Sequence, residues 1–389
     1  MTISWGNWDV RVYAADAWVS LASRFGAEHS VIIDRLEEFL QDREPAVRLQ
    51  VAQRLQVISA VAPERMWAMG QRIAAQETSA EIVGFYLQYS MDPFSVSEPE
   101  RCEAVLSIIK NRLFVDLDLD DQENEHLQDT LSGWLAQLYV GQGRALSRTW
   151  LEEWVVEPER FGGLLGRFTF NLRAAFFERY QPENTTQICA ICDRAQESLA
   201  LILRPAIAIS AEAYGVLISD AGEADKEAAG KRFEAAEKVI HQGMNQLYFG
   251  SGAFESHGDE KPGLPNESAM AHFLADYAEI LALIANTRNP ATLHHLIELY
   301  GFLIPGNPIA VFETIHEILL GRGKEEGYHY ESLGGSVIVE IVQRYIADHR
   351  SIFEDEDQRN RLVAILQVFS EVGWPDALKL LYDLPDLLR

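Results

Sequence analysis

The sequence predicts an all-α chain of antiparallel helix pairs stacked one on the next, and three observations carry that reading. Residues 8–22, WDVRVYAADAWVSLA, are echoed by residues 45–59, PAVRLQVAQRLQVIS. Superposing Val10-Arg11 on Val47-Arg48 sets Ala15 on Ala52, Trp18 on Leu55 and Leu21 on Ile58, so small and large apolar residues recur at matching helical positions. Between the two copies, residues 31–40 form a further amphipathic stretch with a polar break after it, which makes the repeating unit two helices. Beyond the copies, apolar residues continue at helical spacing along most of the chain. A period in the tens of residues with a helix pair in each is the signature of an α-solenoid.

Taken in order, the first helix is expected over 10–23, the second over 31–40, the third from Val47 and the fourth over 65–75. A fainter third copy begins at Glu81-Ile82-Val83-Gly84, with Phe85, Leu87 and Met91 continuing its apolar face. The turn Asp42-Arg43-Glu44-Pro45-Ala46-Val47-Arg48 resembles the HEAT-repeat family, in which an Asp and a Pro or polar residue precede a Val-Arg at the start of the second helix. The first copy keeps Asp9-Val10-Arg11 but has Trp8 where a small residue or Pro is usual, and the third has Gly84 in place of the Arg. The resemblance covers roughly the first ninety residues; it implies a fold and no activity.

Residues 1–9 are too short to supply a partner helix for 10–23, so the opening unit reads as a half-repeat with its stacking face uncovered. Trp5, Trp8 and Trp18 are therefore candidate partner-binding residues, meeting a preceding domain or another protein; the alternative is a cap folded over the first helix. The start carries no signal-peptide pattern.

Further along, 99–113 and 126–140 read as another pair, joined by an acidic run from Asp116. Set against a calcium loop, that run has Asp121 where the sharp turn needs Gly and Leu127 where a bidentate Glu belongs, so it reads as a solvated turn. Leu146, Trp150, Leu151, Trp154 and Val155 give one helical face, and Leu164, Leu165, Phe168, Leu172 and Phe176 another. A long helix from Thr186 is expected to kink or break at Pro205, and another runs over 224–248. The Gly- and Pro-rich 250–266 stretch reads as a loop and the best domain boundary, followed by helices over 267–286, 290–302, 308–320, 333–348 and 358–373. The expected organisation is HEAT-like repeats at 1–140, divergent long helices at 141–249, the loop at 250–266 and a C-terminal helical array at 267–389.

With 33 Lys and Arg against 59 Asp and Glu, the formal charge is −26, which opposes a phosphate backbone. Arg11, Arg35, Arg43, Arg48 and Arg54 are interleaved with acids and read as solvated faces and ion pairs between repeats. Leu199-Ala-Leu-Ile-Leu stops at Arg204-Pro205, short of a membrane span, and three cysteines suggest a reducing, cytoplasmic setting. Catalytic motifs fail one by one. Gly323-Lys324 and Gly230-Lys231 lack the rest of a phosphate loop, and His316-Glu317 has Leu320 where a zinc protease needs its second His. Adjacent His294-His295 point about 100° apart on a helix, and Cys189 and Cys192 are half of a zinc motif. No metal or cofactor is expected.

Tyr328-His329-Tyr330-Glu331, between Gly321–Gly323 and a helix, is a second candidate partner-binding surface, with packing on neighbours as the alternative. The end of the chain, from Arg344-Tyr345 through Ile352-Phe353 to Val372-Gly373-Trp374-Pro375-Asp376-Ala377, looks similar to C-terminal helical regions of large bacterial multidomain NTPases, some associated with phage defence. The expectation is a non-enzymatic scaffold, sensor or regulatory region that binds a protein partner or an adjacent domain and is capable of self-association. An enzyme on a HEAT-like frame, such as a DNA glycosylase or a bilin-lyase-like protein, is the alternative.

Overall fold

A computed structural model describes residues 10–113, 116–117, 124–254 and 262–387; these are almost entirely helical, with no strand beyond one isolated bridge between Leu113 and Leu117. The calcium-loop positions Asp118, Asp120 and Asp121 lie outside the described residues. The chain divides into two compact units, 1–147 and 148–389.

In the first unit the helices are α1 (Val10–Phe25), α2 (Ser30–Phe39), α3 (Pro45–Ala52), α4 (Pro63–Gln76), α5 (Ala80–Phe85), α6 (Pro99–Arg112) and α7 (Glu125–Ala136). Prolines open α3, α4 and α6, where a missing N–H costs nothing and the fixed φ favours the first turn. The Ser79 hydroxyl caps α5 by accepting from the Ile82 N–H. Packing alternates along the chain: α1 lies against α3, α3 against α5 and α5 against α7, while α4 lies against α6. Ala15 of α1 and its aligned counterpart Ala52 of α3 are both fully buried, whereas Val10 and Leu21 are exposed where Val47 and Ile58 are buried, and Trp18 is half-buried where Leu55 is buried.

Arginines tie successive copies together in register. Asp42 Oδ1 accepts the Glu44 N–H at 2.8 Å, closing the turn before α3, and also takes the Arg11 guanidinium at 3.0 Å. One copy later, Glu77 Oε1 accepts the Ser79 N–H at 2.9 Å before α5, and Glu77 takes Arg48 at 2.7 Å. A second set joins the other layer: Arg65 to Asp34 and Glu37, Arg101 to Glu64, and Arg144 to Glu100 and Glu103.

α8 (Ala145–Trp154) contains the division between units. The second unit continues with α9 (Pro158–Asn171), α10 (Thr186–Leu217), α11 (Glu223–Ser251), α12 (Glu267–Asp276), α13 (Ala278–Ile284), α14 (Pro290–Leu303), α15 (Pro308–Ile318), α16 (Ser332–Asp348), α17 (Glu356–Glu371) and α18 (Pro375–Leu387). α11 packs on α9, α10 and α14; α14 on α15 and α16; α15 on α17; and α18 on α16 and α17.

Several sequence expectations change here. α10 runs unbroken through Pro205, because its packing along α11 and against α13 holds the backbone that proline would otherwise release. By length and composition this continuous helix could also cross a membrane, although Leu199, Ile202, Leu203 and Ala206 are buried within the unit. The expected single helix over 267–286 is two, meeting at Tyr277, where ψ leaves the helical range. The 250–266 segment is not a boundary between compact units, since α10 and α11 before it pack on α13 and α14 after it.

Candidate functional site

Both surfaces singled out in the sequence are partly accounted for by geometry. Trp5 and Trp8 lie outside the described residues, and Trp18 is half-buried on the shoulder of α1. The helix is apolar on two sides. Ala15, Val19 and Ala22 pack inward, while Val10, Ala17 and Leu21, spaced seven and four apart, face outward with Tyr13 and Phe25 beside them. Val10 is 79% exposed. Attention to the tryptophans passes over this stripe, although its helical spacing is present in the sequence.

The 328–331 loop is split by burial. Tyr328 is fully buried, with its hydroxyl 3.2 Å from His294 Nδ1 on α14, and His329 is buried below Tyr330. The Trp374 indole N–H donates to the His329 carbonyl at 2.9 Å, and a Cβ on Gly335 would lie 2.7 Å from the Trp374 ring, so the indole seals the loop from the α17–α18 corner. Tyr328 and His329 are thereby packing residues with no surface to offer, and only Tyr330, 70% exposed, and Glu331 remain open to solvent.

Behind this loop stands a histidine cluster that the sequence did not reveal, because its members come from separate helices. His241 Nδ1 is 3.0 Å from the Thr292 hydroxyl, and His295 Nδ1 is 2.7 Å from Asn245 Oδ1. His295 stacks on Tyr248 at 4.5 Å and faces His241 at 5.5 Å. Burial, with His241 and His294 alongside, lowers the His295 imidazole to about 4. Burial favours the neutral form of His241 and His295, each of which has its Nδ1 at hydrogen-bonding distance from a neighbouring side chain. Among the described residues no group of three or more His, Cys, Asp or Glu side chains is placed to hold a metal ion. Cys192 is buried and Cys189 half-buried on α10, and burial pushes the Cys102 thiol up to about 12.

Comparison of the chain with protein-family models, with curated proteins and with solved structures gives no match in any of the three.

Proposed function

We propose that this chain is a HEAT-like α-solenoid that works by binding another protein, as a scaffold, sensor or regulatory region coupled to a larger assembly. The solenoid reading is supported by the repeated turn device, in which an acid accepts the N–H two residues on and an arginine from the preceding copy. Alternate-helix packing within each unit supports it as well. The binding role is carried by one observation: the outward apolar stripe of α1, whose like is normally covered in a soluble protein.

Replacing Val10 and Leu21 together with Gln removes that stripe without touching the buried face. Wild-type chain should show concentration-dependent association in sedimentation velocity, and the double variant should be monomeric with unchanged helicity. A double variant that associates as the wild type does would defeat the assignment of this face.

A further inference from the structure

A groove of about 630 Å³ opens in the second unit between the wall formed by α12 and α13 and the wall formed by α15, with α14 beneath. Its first wall is a row of alanines at alternating spacings of four and three, from Ala271 through Ala275, Ala278 and Ala282 to Ala285, carried on α12 and α13 to either side of the break at Tyr277 and spanning at most roughly 20 Å. Ala310 and Thr314 continue the small surface on α15. Alanine walls leave the volume unfilled, whereas larger side chains at these exposed positions would have closed it.

Two polar groups lack partners here. Tyr300 lines the floor and is only 6% exposed, yet its hydroxyl has no hydrogen-bond partner among the described residues. That hydroxyl reaches the surface of the groove, where an acceptor brought in from outside would take the place of water. At one end, Arg322 is neutralised by Glu325 at 2.7 Å and by Glu326, while Glu317 has no ion pair among the described residues. That end is therefore net negative.

We infer that this groove receives an amphipathic helix of a partner protein, one that presents large apolar residues at i, i+3 or i+4 and i+7, a polar side chain to Tyr300 and a Lys or Arg to Glu317. Its length suits three to four turns of helix, and helix-in-groove recognition uses this anchor spacing. The inference rests on the protein-binding reading above but uses a different face from α1.

A display library of helix-forming 15-residue peptides, selected against the intact chain, tests it. Enriched peptides should share the apolar spacing and a basic residue at one end. Ala282→Trp, at an exposed position, fills the groove and should weaken the best peptide at least about tenfold with unchanged thermal stability. Glu317→Gln should weaken it severalfold, and less so as salt rises. Tyr300→Phe should weaken peptides with a polar anchor and leave an all-apolar anchor unaffected. Val10→Gln with Leu21→Gln should leave peptide affinity unchanged, so failure of the α1 assignment and failure of this one are separable. No enrichment, enrichment without the spacing, or binding indifferent to Ala282→Trp overturns the proposal. So does self-association abolished by Ala282→Trp, which would make a second copy the occupant.

Discussion

Glu237 of α11 is almost fully buried and has no ion pair among the described residues; neutral donors alone meet its carboxylate oxygens. The Ser210 hydroxyl of α10, the Thr287 hydroxyl and, at 3.1 Å, the Arg288 N–H all donate to its carboxylate. One side chain thereby pins two helices and the turn before α14. Glu237→Ala strands all three donors and should lower stability by about 2–4 kcal/mol, read from the shift in urea midpoint, whereas Glu237→Gln should cost clearly less. His295 supplies a pH dependence. Its folded value of about 4 lies below the ordinary value near 6.5, so between those limits the unfolded chain takes up a proton that the folded chain refuses. Stability from this group is therefore complete above about pH 6.5 and falls as pH drops toward 4. Melting temperatures from pH 7 to pH 5 should decline in the wild type and decline less in His295→Gln; equal slopes would assign the effect elsewhere. Neither residue stood out in the sequence. Glu237 was one acid among 59, and His295 was singled out only for its neighbour His294, whereas its environment comes from Tyr248 and His241 on another helix.

Between elements, the ion pairs differ in worth because they differ in burial. The Arg48 side chain is 14% exposed and that of Glu77 5%, and the Arg112 guanidinium donates to the Ala74 and Glu77 carbonyls beside them. Arg48→Met leaves the Glu77 carboxylate buried with a single backbone donor and should cost about 3–5 kcal/mol. Arg101→Met breaks the exposed pair with Glu64 and should cost under about 1 kcal/mol. Denaturant midpoints of the two variants give the contrast directly, and equal losses would refute the ladder as a stabilising device of the buried turn. Helix starts were legible because prolines and capping side chains act locally: Pro45, Pro63, Pro99, Pro290 and Pro308 each open a helix. Other features were set by neighbours. The unbroken course of α10 past Pro205 depends on α11 and α13, and the break at Tyr277 sits where that ring is buried against Phe176 and Phe273.

At the level of the whole molecule, the all-α class followed from periodicity, and the repeat of the opening residues followed from one alignment of Val10-Arg11 on Val47-Arg48. The candidate surfaces were harder to read, since exposure is decided by what packs beside a residue. Tyr328 and Tyr330 are two positions apart, yet one is sealed by α14 and the other faces water. The outward stripe of α1 is the surface on which the binding role stands, and a net charge of −26 makes a nucleic acid the less suitable partner for it. Site-specific photocrosslinking in cells that express the protein probes this most directly, with the reactive side chain placed at Leu21 in one variant and at Lys231, an exposed position on α11, in the other. A discrete crosslinked protein species is expected from Leu21 and none from Lys231; crosslinks from Leu21 no more abundant or distinct than those from Lys231 would contradict a binding role for this face.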